Sequence, residues 1–304
     1  MSKMALRVAL VLLAATVAGG AGVPVQRGKI AIDPKNLAST ATLTFRDEFN
    51  GDSVNLWSGV AGTRSGWNTN YWWANAKGST LPSNGEVEWY INHLYRPTNS
   101  AIEAGDIETP WRITKDANGS YLTLTASPVT DRETQALIDG HKYSSGMVQS
   151  YYAHTQTYGY FEMRAKLPAG KGVWPAFWLL PADGSWPPEI DIIEVLGHEM
   201  NTLHTTVHTN ESNRHTSKGT SNVVPDMSSD FHTYGVDWQA DFITWYFDGR
   251  QVFKVPTPAD LHKPMYMIAN ITVGGNWPGM PDRTTPWPAE MHIDYIRAYS
   301  GLRD

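Results

Sequence analysis

Three acidic residues fall within six positions in Glu189-Ile190-Asp191-Ile192-Ile193-Glu194. Carboxyl groups held close together do not all ionise with equal ease, and a pair in different protonation states can supply a nucleophile and a general acid. A β-strand sends alternate side chains to one face, so Glu189 and Asp191 project together. Strict alternation then places Ile193 beside them and turns Glu194 to the other face. Holding all three acids together requires one extra residue, a β-bulge, within Ile192-Ile193. A regular strand would leave Glu194 buried or solvated elsewhere, and a solvated strand edge also carries acids at this density. The isoleucines at 190, 192 and 193 argue against an edge, because they mark the opposite face as packed into a core.

Aromatic residues surround this strand. Trp174-Pro175-Ala176-Phe177-Trp178 lies upstream, and Trp186 directly precedes Pro187-Pro188. Thirteen tryptophans are a large supply for one domain. Clustered indoles near carboxylates suit a sugar-binding cleft, since pyranose C-H faces stack on them, although any one tryptophan could equally be core packing. His208 follows the acids, and His204, four residues earlier, would share its strand face. Two histidines could begin a metal site, but no third ligand is evident.

The elements that must position these residues read as strands. Short β-branched or aromatic runs, separated by Gly, Pro, Asn and Asp, fall at 43–46, 121–126, 146–150, 159–167, 172–180, 190–195, 202–208, 231–237, 242–247, 265–273 and 291–299. No long helical periodicity intervenes, so the chain is expected to be an all-β sandwich or barrel. In Tyr160 to Leu167, Phe161, Met163, Ala165 and Leu167 share one face, while Glu162, Arg164 and Lys166 form a face expected to be wet. Asp248-Gly249 reads as a hairpin turn with positive φ at the glycine.

The chain has 304 residues, 41% of them hydrophobic, which suffices for one large core. Residues 1–21 carry Lys3 and Arg7, an apolar run from Ala5 to Val17 and then small residues, the order of a secretory signal peptide. The run is too short to span a bilayer. Residues 22–41 are expected to be a flexible N-terminal segment, and 42–304 the catalytic domain. A formal net charge of -6, more negative still once that leader is removed, makes nucleic acid an unlikely partner. With zero cysteines, neither a disulfide framework nor a lipid-anchored cysteine is available. A secreted protein without a membrane anchor, monomeric, is expected.

The chain resembles glycoside hydrolase family 16, the laminarinase and lichenase group. The matching pieces are Phe45-Arg46-Asp47-Glu48-Phe49, Tyr158 to Glu162, Leu167-Pro168, Trp174 to Pro181, the acidic strand, Phe231 to Tyr234, Tyr246 to Gly249, Val273 to Gly279 and Ile293 to Arg297. They run in family order over about residues 42 to 300. The resemblance implies a concanavalin A-like jelly-roll sandwich of two curved antiparallel sheets, with a polysaccharide cleft on the concave face. It implies Glu189 as nucleophile, Glu194 as general acid/base and Asp191 as the carboxylate between them, on the bulged version of the strand. No cofactor is needed for that chemistry.

By the same resemblance His208 lies near the cleaved sugar, and Trp174, Trp178 and Trp186 line the cleft. Asn270 and Trp277 flank a glycine segment on the glycone side. Glu86 and Trp89 match an upstream substrate-binding segment in which Gly85 and Glu88 replace the usual Asn and Gln. Many members hold a structural calcium on the convex face, with Asp294 as the matching ligand and Glu48 a second candidate, although Asp294 could instead pair with Arg297. The segments around Trp186, Thr257 and Lys263 look closest to bacterial endo-1,3-1,4-β-glycanases that trim exopolysaccharide. A transglycosylase of this fold and a non-catalytic lectin-like jelly roll are the alternatives.

Overall fold

A computed structural model describes residues 32–63, 65–95, 109–117 and 119–302, so the expected leader at 1–21 lies outside the described residues. In chain order the strands are β1 (Ala41–Asp47), β2 (Gly78–Ser79), β3 (Glu88–Ile91), β4 (Trp111–Asp116), β5 (Gly119–Pro128), β6 (Tyr143–Ser145), β7 (Met147–Gln149), β8 (Gly159–Lys166) and β9 (Val173–Pro181). They continue with β10 (Glu189–Glu194), β11 (Thr202–Thr209), β12 (Thr216–Val223), β13 (His232–Trp238), β14 (Phe242–Phe247), β15 (Arg250–Pro256), β16 (Met265–Val273) and β17 (Ala289–Gly301). Two short helices, α1 (Leu37–Thr40) and α2 (Arg132–Leu137), and a single 3-10 turn at Pro82–Asn84 complete the regular structure of the described residues.

One sheet runs β12-β11-β10-β9-β16-β7. The other runs β15-β14-β13-β8-β17-β5-β6-β3-β2, with β1 added on β17 and β4 on β5. This is the all-β jelly-roll sandwich expected of the chain, with one departure: β3 pairs with β6 in parallel, whereas the other strand pairings are antiparallel.

The main core lies between the sheets and draws Phe177, Leu179, Ile190 and Ile271 from one side, and Phe161, Met163, Tyr234 and Trp245 from the other. The central strands of the first sheet are buried on both faces, which is why their sequences lack clean alternation. In β16, Met265, Met267, Ala269, Ile271 and Val273 enter the core, while Tyr266 and Ile268 join a second apolar cluster with Trp178, Leu180, Tyr71 and Tyr90. That second cluster floors the cleft.

Two expectations change here. Residues 32–41, expected as a loose tether, are packed from Ile32 onward: Ile32 and Ala41 are buried against Tyr160 and Tyr299. The face of β8 expected to be wet is only partly so. Glu162 is buried, and its carboxyl accepts hydrogen bonds from the hydroxyls of Tyr160 (2.6 Å) and Tyr295 (2.7 Å). The hairpin between β14 and β15 turns on positive φ at both Asp248 (φ 47) and Gly249 (φ 68), the backbone of an Asp-Gly turn.

Candidate active site

The acids stay together because the strand slips. Against β11, Asp191 sits opposite Thr206 and Glu194 opposite His204, three steps on β10 for two on its neighbour. Against β9, Asp191 faces Trp178 and Ile193 faces Phe177, two steps for one. One extra residue therefore lies in the Ile192-Ile193 stretch. Both isoleucines and Ile190 are buried in the core, each contributing about 1.5–3 kcal/mol of apolar burial. Glu189, Asp191 and Glu194 all line one cavity of about 760 Å³.

A tryptophan from the opposite sheet supports the irregular point. Trp245, fully buried on β14, donates its indole N-H across the core to the Asp191 carbonyl at 2.8 Å. Trp245→Phe keeps the ring but leaves that carbonyl without its donor, a loss of about 1–3 kcal/mol. Turnover is expected to fall roughly tenfold with an unchanged far-UV circular dichroism spectrum. Wild-type turnover in this variant would mean that the anchor does not position the acids.

The electrostatics favour protons in the cleft. Burial, then the charge of Asp191, raises Glu189 well above the usual carboxylate range, with His208 opposing. Burial, then the charge of Glu194, raises Asp191 well above its range. Burial, then the charge of Glu189, raises Glu194 to about 8. Glu189 and Asp191 are hydrogen-bonded to each other, so they share a proton; that bond alone raises Glu189 and lowers Asp191, and the donors around the pair act in the opposite sense. The charge of such a pair settles on the member with more donors. Glu189 has the Trp186 indole N-H on its Oε2 at 2.7 Å, whereas Asp191 Oδ2 has no aligned donor, the nearest being His208 Nε2 at 3.2 Å. His208 Nδ1 lies 2.9 Å from His215 Nε2. With neutral rings, His215 donates to His208 and His208 directs its own N-H toward Asp191, an assignment that follows from the hydrogen-bond network.

The walls gather most of the residues expected from the sequence. Trp174, Trp178, Trp186, Trp277, His208, Glu86 and Asn270 all line the cavity. Trp186 and Trp277 are well exposed there, at 57% and 43%, and so present open ring surface. Trp277 makes edge contacts with Trp174 and His204 rather than packing beneath the glycines. Asn270 is buried and spends its amide within the wall, accepting from Trp178 Nε1 at 2.7 Å and donating to Tyr90 Oη at 2.9 Å and Thr272 Oγ1 at 3.1 Å. It braces the wall. At Gly274 (φ 70) the chain approaches itself closely, and a Cβ there would lie 2.8 Å from Val87 Cγ2.

Trp89 is a correction. It is not among the cavity-lining residues; it is buried with Ile91 and Ile138 and packs against His141. Sequence reasoning missed Tyr71, Trp73, Thr206, His215 and Tyr266, all of which line the cavity. Trp73 stacks on Tyr71 with ring centroids 4.8 Å apart. The run Tyr71-Trp72-Trp73 was a usable aromatic signal; His215 had none.

The calcium expectation does not fit the side chains. Asp294 is paired with Arg164 at 2.6 Å, not with Arg297. Glu48 is held by both Arg297 Nε (2.8 Å) and Nη2 (2.7 Å). Calcium takes about 6–8 oxygens converging on one point, whereas each of these acids is already matched by a guanidinium. Among the described residues, the converging group of side-chain metal-ligand atoms is Glu189, Asp191 and His208, at the acids of the cleft.

Comparison with known proteins points to one family. The sequence pattern described as Glycosyl hydrolases family 16 matches residues 115–297. The chain is 48% identical over 262 residues to the endo-1,3-1,4-beta-glycanase ExsH of Rhizobium meliloti, and 45% identical over 262 residues to EglC, another endo-1,3-1,4-beta-glycanase of that organism. Each match covers 86% of this chain and 52% of the relative, so the chain spans about half the length of these curated relatives. Among solved structures, the laminarinase catalytic domain of Thermotoga maritima superposes with a TM-score of 0.65 at 30% identity, covering 86% of this chain and 99% of that one.

Proposed function

Because the chain belongs to glycosyl hydrolases family 16, we propose that it is a retaining endo-β-glycanase that cleaves β-1,3-linked or mixed β-1,3-1,4-linked glucan, or a bacterial exopolysaccharide with such linkages. The observation that carries this reading is the bulge that brings Glu189, Asp191 and Glu194 to one tryptophan-walled cavity. Retaining cleavage uses two carboxyl groups about 5–5.5 Å apart.

Glu189, its charge supported by Trp186, attacks the anomeric carbon as the glycosidic C-O bond breaks, and Glu194 gives its proton to the leaving oxygen. Water then attacks the same carbon, passes a proton to Glu194 and releases Glu189. Asp191 keeps its proton toward Glu189 while that residue is charged, and His208 keeps Asp191 in place. The exposed faces of Trp186 and Trp277 suit stacking on sugar rings. The names of the Rhizobium relatives support the choice of linkages.

Incubation with laminarin, lichenan, agarose and an acidic exopolysaccharide, followed by linkage analysis of the products, tests the reading. Internal cleavage of laminarin, lichenan or the exopolysaccharide is expected. Activity confined to agarose would overturn the substrate assignment, and products longer than the starting oligosaccharide would point to transglycosylation.

A further inference from the structure

A second pair of carboxyl groups stands in the cleft wall. Glu86 lines the cavity; Glu88, two residues on, is fully buried behind it. The two carboxyls are hydrogen-bonded to each other. Glu88 Oε2 accepts the Val273 backbone N-H at 2.8 Å, and the Thr80 hydroxyl is 3.3 Å from Oε1. Glu86 Oε1 accepts from Asn84 Nδ2 at 2.9 Å, and its Oε2 from the Leu81 backbone N-H at 3.4 Å. The other ionisable groups acting on this corner are the phenols of Tyr71 and Tyr90, both kept neutral by burial, with Glu189 reaching Tyr71 from across the cavity. Among the described residues neither glutamate has a lysine, arginine or histidine as a hydrogen-bond or ion-pair partner.

Two carboxylates in contact without a cation cannot both be ionised, so one proton lies between them. Its place follows from exposure. Each carboxyl has two donors, but Glu88 has no solvent, while Glu86 borders the open cavity. We propose that Glu88 is a carboxylic acid held protonated at neutral pH, which donates to Glu86 and so fixes Glu86 as an ionised acceptor for the hydroxyls of a neutral sugar. Glu88 is a positioning residue, since it does not reach the cavity. An anionic acceptor at this point favours an unsubstituted pyranose and repels one that bears a carboxylate. This selectivity rests on the glycanase reading; the proton itself does not.

Infrared difference spectra of wild type against Glu88→Gln at neutral pH, without substrate, read the proton directly. The wild type is expected to show a carboxylic-acid carbonyl band that Glu88→Gln lacks and Glu86→Gln retains. Loss of an ionised-carboxylate band in Glu88→Gln instead would overturn the proposal. In kinetics on an unsubstituted β-glucan oligosaccharide, the wild-type KM is expected to rise roughly tenfold as alkaline pH removes the shared proton, because Glu86 then loses its donor. The Glu88→Gln amide donates at every pH, so its KM should stay flat across that range; an unchanged KM profile would overturn the role in binding. Oligosaccharides carrying a uronic acid at that subsite should bind less well, and Glu86→Gln should narrow the gap. A protein that shows the band but cleaves no β-glucan would leave the pair standing and sink the glycanase reading. An active enzyme without the band would do the reverse.

Discussion

Replacing Glu189 by alanine is expected to reduce glucan hydrolysis by at least roughly 10³-fold while the fold survives, because the nucleophile is removed and no other group can form the covalent intermediate. The surroundings make the loss specific. Glu189 faces the cavity, on the side of β10 opposite the core residue Ile190, so truncation removes a cleft group and leaves the core intact. A small anion such as azide fits the vacated space and should restore cleavage of a substrate with a good leaving group, giving a glycosyl azide of inverted configuration. Near-normal hydrolysis by Glu189→Ala would end the assignment.

Glu194→Gln carries the second large effect. The glutamine keeps the volume but has no proton to give, and general acid catalysis is worth about 10²–10⁴-fold. The wild-type pH profile supplies the sign. Glu194 works protonated and is raised to about 8, so kcat/KM is expected to hold through neutral pH and fall as pH rises through that value. On the acid side, activity falls as the Glu189 and Asp191 pair takes up a second proton, since attack requires a charged Glu189. In Glu194→Gln the alkaline limb should vanish along with most of the rate. A profile that kept this limb would place the titrating acid elsewhere.

Much of the site was legible because its irregularity is written in the sequence. Two adjacent isoleucines between two acids make sense only if both point inward, and a bulge is how a strand does that. Asp248-Gly249 announced its turn for a similar reason, since both residues must tolerate positive φ. The polar edge strand β12 went unread: Thr216 to Val223 packs on one neighbour and needs no apolar pattern. Trp89 misled because it was carried over from a matching family segment, and a motif match does not say which face a residue takes in a strand such as β3, where all four residues are buried. Asp294 and Glu48 misled because an acid that pairs with arginine and one that binds calcium look alike in sequence; the partners Arg164 and Arg297 sit elsewhere in the chain and meet the acids only across strands. His215 reaches His208 through the pairing of β11 with β12, a contact that no local pattern encodes.

Glu189 and Glu194, from one bulged strand, are expected to act by double displacement. Proton NMR of the first products released from a β-1,3-glucan oligosaccharide, recorded before mutarotation equilibrates them, tests it most directly. Retention predicts that the new reducing end appears first as the β-anomer and drifts toward the equilibrium mixture. Initial appearance of the α-anomer would show a single displacement by water and exclude a covalent intermediate on Glu189.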